Sequence, residues 1–595
     1  MATLITQGTQ LDRKPVTLPL NNRFLFYIGL TFILGMHYFM RNPGGSGLML
    51  SFNPATWICM SGAFGVGLYQ IARSGFVRYT KLTLILLIGC ILLTVPALYS
   101  LESGFNATSR LIGLWAGFLL FALFQQFRFS NAQRQRLLWF IVIATFIESI
   151  FGGVQYLILE PGNLFGYDTL KNRPYGIFQQ PNVMASFLAT GLIVSGYLLA
   201  RQPQKKYDSR LRKTLFLYSI PIISVPLIVV LASRTGWIAA SIGVVLIIPY
   251  LVRFSTKRRV TFWLSALAIG LALGSVLLSN GGQSEFVEDK LSLKGARNIT
   301  FPQTIDMMIE KPISGYGYGQ FESQYILYTA RQHQLNSDYP PGIPSLDHPH
   351  NEIMYWGVEG GILPIIAILL VTLITLQRIM SLRHGTRLAI FALLLPLALH
   401  AQLEYPFYHS AIHWITFIVL LYWVDQKSGR YKTTTISSLS SSACKISSLV
   451  LPIVIVVFMA TTLQSNHILR KFEYAQKPDP QLLDQVTNPI VWKLRLDWDI
   501  HAHLLNIGLK TGNHDLLQRF VDWSLEQVKL TPRPAFYANL VMAYEGLDQP
   551  TNAQRIREES KYLFPNYDID EVIRKFHVSN TEAESAAANS MAAQQ

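Results

Sequence analysis

The stretch His348-Pro349-His350-Asn351-Glu352 stands where a long polar segment runs back into a hydrophobic one. His350 suits general-base work: a neutral imidazole, with an unperturbed pKa of about 6.5, accepts a proton from a hydroxyl as a new bond forms. Asn351 is placed to cap the following helix and hold His350 at its start, and His348 either assists or shapes the turn. A metal reading of the histidine pair needs more ligands, and Asp347 and Glu352 are the ones nearby in sequence. Arg173, Arg234 and Arg297 are natural partners for a diphosphate, because guanidinium binds phosphate oxygens bidentately and keeps its charge when partly buried. Their competing use is to anchor helices at a membrane boundary. Arg234 lies in the tight turn SRTG between two apolar runs. The segment NRPYGIFQQPN, Asn172 to Asn182, adds Tyr175, Gln179, Gln180 and Asn182. Its amides can hydrogen-bond sugar or phosphate, and the alternative for Asn182 is helix capping. Glu404 and Tyr405 follow a later apolar run, with His409 and His413 four residues apart on what would be one helical face, a spacing that also serves helix packing.

A glycosidase normally needs two carboxyl groups, because its leaving alcohol must be protonated. A lipid diphosphate is already a good leaving group and needs cationic stabilisation instead. Arginines and one base therefore suffice for glycosyl transfer from such a donor, with no metal or cofactor expected.

These residues have to be carried by membrane helices. Half of the 595 residues are hydrophobic and only 14% charged, and the mean hydropathy is +0.29, so the chain reads as an all-α polytopic membrane protein. Apolar runs of spanning length fall near Phe24–Phe39, Trp57–Ile71, Leu82–Tyr99, Leu111–Phe127, Leu137–Leu159, Val183–Ala200, Leu215–Ala232, Trp237–Val252, Phe262–Ser279, Met354–Leu376, Leu388–Leu403, Ile412–Val424 and Leu449–Thr462, about thirteen helices (12 to 14). With a cytoplasmic amino terminus, the cytoplasmic segments hold about 26 Lys and Arg, Arg13, Lys14, Lys205 and Lys206 among them, against roughly ten in the opposite loops. Topology and lipid contact thus account for most of the net charge of +15, which is no signal for nucleic acid. Cys59, Cys90 and Cys444 lie in or beside spans or on the cytoplasmic side, so no disulfide framework is expected in the exported parts.

The implied organisation is a cytoplasmic N-terminus (1–22), a first membrane region (23–279), a large exported loop (280–351), a second membrane region (352–463), an exported helical domain (464–578) and a disordered tail (579–595). The loop is far longer than an ordinary connection, which marks it as functional, with a lid over a lateral entry site as one use. It is expected to hold one helix, from Asn298 to Pro312, with Phe301, Ile305, Met308 and Ile309 on one face. The sequences at 315–319 and 338–344 read as turns or mobile loop. After the last span, amphipathic segments of helix-pair length resemble tetratricopeptide-like hairpins.

RPYGIFQQPNVMASFLATG (Arg173 to Gly191), SRTGW (Ser233 to Trp237), PISGYGYGQF (Pro312 to Phe321) and HPHNE occur in an order and spacing similar to the bacterial O-antigen ligase and polymerase superfamily. More narrowly, the chain resembles its protein O-oligosaccharyltransferases of the PglL type, over the first through about the twelfth span and the C-terminal helices. That resemblance implies a multi-pass protein of the bacterial inner membrane. Its site would face the periplasm and transfer an oligosaccharide from undecaprenyl diphosphate to Ser or Thr of an exported, pilin-like acceptor. It makes His350 the essential histidine and Arg234 and Arg297 the diphosphate ligands, with Gln179 and Asn182 in the segment that marks the protein-glycosylating branch. An O-antigen ligase acting on lipid A-core, or a polymerase, is the alternative enzyme. A lipid-linked sugar transporter is disfavoured by the few ionisable residues in the spans, His37, Glu148 and His400 being the clearest. A scaffold built around the C-terminal helices is the remaining alternative, and acceptor recruitment is the more natural use of those helices.

Overall fold

The computed structural model describes residues 20–99, 107–202, 208–280 and 295–574. The expected N-terminal segment as far as residue 19 with Arg13 and Lys14, the pair Lys205 and Lys206, the loop's first part (281–294) and the tail from 579 lie outside the described residues.

Among the described residues the architecture is helical apart from two short strands. The helices before the long loop are α1 (Asn21–Ile33), α2 (Phe52–Ser74), α3 (Lys81–Thr94), α4 (Thr108–Phe124), α5 (Asn131–Leu157), α6 (Pro181–Ala200), α7 (Asp208–Val230), α8 (Arg234–Phe254) and α9 (Lys257–Asn280). The loop and the region after it hold α10 (Arg297–Glu310), α11 (Phe321–Leu335), α12 (Glu352–Gly360), α13 (Ile362–Met380), α14 (Arg387–Ala401), α15 (Pro406–His409), α16 (Ala411–Ser428) and α17 (Ser438–Glu473). Among the described residues eight helices, α3, α5 to α9, α13 and α17, are long and apolar enough to cross a bilayer, while α4 and α14 are apolar but shorter. The other stretches expected to span fall on α1, α2 and α16.

The centre of the bundle is α6, buried on every side from Val183 to Ala200. A helix without a polar face fits only where neighbours surround it, here α5, α7, α8 and α14. At the periphery α17 leaves Leu449, Ile453, Val454 and Val457 more than half exposed, a surface suited to acyl chains rather than water. The segments carrying the Lys/Arg excess meet at one end. Strand β1 (Phe76–Tyr79) pairs antiparallel with β2 (Lys432–Thr435), Arg134 donates to Gln426 at 2.8 Å, and Arg259 donates to the carbonyl of Gln202 at 2.8 Å.

The long loop departs from expectation in three ways. The helix predicted from Asn298 forms as α10, but its buried residues are Thr300, Gln303, Thr304 and Met307, whereas Ile305 and Ile309 are exposed. Hydrogen bonds decide this: Gln303 donates to the carbonyl of Pro340 at 2.7 Å and accepts from the Tyr325 hydroxyl at 2.6 Å. Second, the loop contains another helix, α11, which buries Phe321, Tyr325 and Tyr328 along one face. Third, the run expected to span from Met354 is broken. α12 ends at Gly361, whose φ of +71° and a would-be Cβ 2.0 Å from the carbonyl of Ile313 admit only glycine. The predicted GYGYG turn packs there, Tyr316 and Gly317 donating their N–H groups to the carbonyls of Val358 and Glu359 at 2.9 Å.

Beyond α17 lie α18 (Pro489–Thr511), α19 (His514–Leu530), α20 (Pro534–Gly546) and α21 (Pro550–Leu563), each packed on the next. Proline starts three of them, where its missing N–H costs nothing. Their apolar faces join the loop helices in one core, with Met307, Phe321, Tyr325 and Leu346 on one side and Leu517, Phe520, Tyr537 and Val541 on the other. Arg533 forms a bidentate pair with Glu322 of α11 at 2.6 and 2.8 Å across this joint.

Candidate active site

The segment 172–182 is fastened from α5. Gln155 accepts from the N–H groups of Tyr175 (3.0 Å) and Gly176 (2.7 Å) and donates to the Gly176 carbonyl (3.1 Å). Tyr175 packs edge-on to Tyr167 and shapes the loop. Gln179 closes a short turn at φ +56°. The cap of α6 is Gln180, whose side chain accepts from the N–H of Val183 at 2.8 Å, so the capping role weighed for Asn182 belongs to its neighbour.

Arg173 fills the anchoring role. It donates to the carbonyls of Leu231 (2.6 Å) and Ala232 (3.3 Å) at the end of α7, and to Oδ1 of Asn182 (3.3 Å). Burial lowers its pKa to about 10, with the Glu404 carboxylate opposing the shift. The turn it braces leads into Ser233, which caps α8, and then Arg234, half-buried in the first turn of that helix. Gly236 keeps the turn against α6: a Cβ there would stand 2.5 Å from that of Ala185.

The convergence point is Glu404, 7% exposed between α14 and α15. Its Oε1 accepts from Nη2 of Arg297 at 2.5 Å and Nδ2 of Asn182 at 2.8 Å. Oε2 accepts from Nε2 of Gln180 at 3.2 Å and stands 3.9 Å from Nδ1 of His350. Arg297, His350, Gln180 and Asn182 thus meet around one carboxylate, and the contacts through Asn182 and Arg173 reach the backbone two residues before Arg234. Of the three amides expected from the sequence, Gln179, Gln180 and Asn182, the last two bond Glu404.

His350 is partly exposed, its side chain 26% accessible, and has a left-handed backbone, φ +59°. Its N–H donates to Nδ1 of His348 at 2.8 Å. His348 therefore carries its neutral proton on Nε2 and holds the turn. It is buried against Tyr355, Tyr405 and Tyr408, with ring centroids 4.3, 5.1 and 5.6 Å away, and burial first, then His350 and Arg110, hold its pKa well below the ordinary histidine value. Tyr405 also faces His350, at 5.4 Å. The pKa of His350 is lowered chiefly by burial, with Arg297 acting the same way and Glu404 against. Asn351 caps α12 as expected, accepting from Met354 at 2.9 Å, and ties it to the carbonyl of Gln402 at 3.0 Å. His409 and His413 serve packing, bonded to the carbonyls of Phe178 and Val183 at 2.8 and 3.0 Å. Among the described residues no group of three His, Cys, Asp or Glu stands close enough to hold a metal ion.

Two features go beyond the sequence reading. Glu404, expected there as a supporting residue, stands at the centre of the cluster, and the available signal was that it is the one carboxylate between Leu388 and Val424. Arg110 and Glu359 form a buried pair at 2.5 Å, the guanidinium caged by Tyr318, Tyr355 and Trp356 within 4.6 Å. An acid inside an apolar run was the available signal for it.

Three stretches match family models: residues 174–199 that of protein glycosylation ligases, residues 220–369 that of O-antigen ligases, and residues 388–578 that of the C-terminal part of virulence-factor membrane-bound polymerases. A general O-oligosaccharyltransferase of Acinetobacter baylyi is 26% identical over 237 residues, 37% of this chain and 39% of the relative. A ComP-specific O-oligosaccharyltransferase of the same organism is 23% identical over 332 residues, 53% of this chain and 56% of the relative. The chain thus spans about half the length, or less, of the curated relatives it matches. In its segments, their order and its relatives, the chain is similar to the O-antigen ligases and protein O-oligosaccharyltransferases.

Proposed function

We propose that this protein is an O-oligosaccharyltransferase of the bacterial inner membrane, moving an oligosaccharide from undecaprenyl diphosphate to Ser or Thr of exported, pilin-like proteins at the periplasmic face. The observation that carries the reading is the meeting of Arg297 and the His350 imidazole around one buried point, from segments far apart in the chain. The thirteen crossings expected from the sequence would set the loops bearing Asn182, Arg234, Arg297, His350 and Glu404 on one side, opposite the basic segments. The core shared by the loop helices and the C-terminal helices supports that arrangement.

In this mechanism the acceptor hydroxyl oxygen bonds to the anomeric carbon while the bond from that carbon to the diphosphate oxygen breaks, its electron pair leaving with the phosphate. Nε2 of His350 takes the hydroxyl proton. Arg297 and Arg234, the latter beside the positive end of α8, stabilise the departing diphosphate. Gln180 and Asn182 hold the Glu404 carboxylate beside this site, and no metal or cofactor is assigned a step.

Co-expression with a lipid-linked glycan and a tagged pilin, read by intact-protein mass, tests the reading. His350→Ala is expected to abolish transfer, at least a hundredfold, while membrane insertion is unchanged; retained glycosylation removes the base assignment. The matches to O-antigen ligases and polymerases support a second reading, transfer to lipid A-core or to a growing glycan. Lipopolysaccharide profiles of a deletion strain that change while exported proteins keep their glycan favour that alternative.

A further inference from the structure

Glu404 is where the donor site and the base touch, and its contacts are uneven. Oε1 is fully engaged by Arg297 and Asn182. Oε2 has Gln180 at 3.2 Å and faces His350 Nδ1 at 3.9 Å, too far for a hydrogen bond. That Nδ1 is buried without a partner, a state that is costly for a polar nitrogen. We propose that Glu404 is a positioning residue with two partners: without donor it is the counter-ion of Arg297, and once a diphosphate takes that guanidinium it closes on Nδ1 of His350.

The inference rests on the transferase reading above and follows from charge balance. A diphosphate offers Arg297 more negative charge and better bidentate geometry than one carboxylate. Losing Arg297 leaves a largely buried carboxylate with only two amides, and a nearby N–H donor then becomes its best partner. The required movement is on the order of 1 Å. Held this way, the imidazole carries its proton on Nδ1 and presents Nε2 as the base, and the carboxylate stabilises the imidazolium formed when Nε2 is protonated. Donor binding would thereby arm the base.

Purified protein tests this with Glu404→Gln, checked by gel filtration, using undecaprenyl diphosphate as binding probe and a glycan-charged donor with tagged pilin for transfer. The expected signature is opposed: binding roughly three- to tenfold tighter, because Arg297 has no counter-ion to leave, with transfer at least tenfold slower and donor KM not raised. The acid limb of kcat should also move to lower pH, since a carboxylate that favours the imidazolium is gone. The other groups around the pair, Arg173, Arg297, His348, Asp347, Tyr405 and His409, are unchanged. Should the amide variant not fold, Glu404→Asp keeps the charge but withdraws it from Nδ1; transfer is expected to fall with binding unchanged. Transfer at the wild-type rate, or slower transfer with weaker binding and an unmoved acid limb, overturns the proposal. If the wild type transfers to no protein, the functional reading fails, while the binding arm still reports whether Glu404 competes for Arg297.

Discussion

His350 holds a left-handed backbone conformation that a non-glycine residue adopts only at some cost. His348 stabilises it by accepting the His350 N–H, so the first histidine builds the turn and the ring of the second takes no part in it. The pair was legible in the sequence, but its division of labour was not, because it depends on which ring nitrogen meets which backbone group. The pH dependence follows. Burial lowers the His350 pKa, and a histidine works as a base only when neutral. Activity should therefore be full near neutrality and lost only as pH falls below the ordinary histidine range, with the acid limb of kcat/KM under about 6.5. An acid limb above that value in a kcat/KM profile would assign a different group.

At the scale of elements, the loop that carries His350 is held from two directions. α12 is tied to the bundle by Asn351 and by the caged Arg110–Glu359 pair. α10 and α11 share their core with the C-terminal helices. Those helices, read from sequence as an acceptor platform, are also part of what holds the loop that carries His350. Arg533→Met tests that joint: Glu322, buried beside Asp347, loses its bidentate partner. Stability should fall by roughly 1.5–3 kcal/mol, and transfer should drop for every acceptor alike, measured by thermal unfolding and by intact mass with two unrelated acceptors. A loss confined to one acceptor would return these helices to recruitment alone. The buried face of α10 was not legible, since its core contacts are hydrogen-bonded Gln303 and Thr304 rather than the isoleucines that periodicity selects.

For the whole molecule the testable quantity is sidedness. With Cys59, Cys90 and Cys444 replaced by serine, single cysteines at positions 171, 234, 345 and 479 should be labelled by an impermeant thiol reagent from outside the cytoplasm. Cysteines at 130, 256 and 383 should be protected until the membrane is opened. Labelling of 234 and 345 from opposite faces would dismantle the site.

The amino-acid order by itself determined the helical membrane class, the segments that carry the Lys/Arg excess, and the histidine and arginine segments of the candidate site, because these depend on composition, local periodicity and short motifs. Tertiary structure alone decided that Arg173 braces a turn, and that Glu404 sits among Arg297, Gln180, Asn182 and His350. Hydrogen bonds and ion pairs are settled over a few ångströms between side chains more than fifty residues apart, and no pattern along the chain measures that distance.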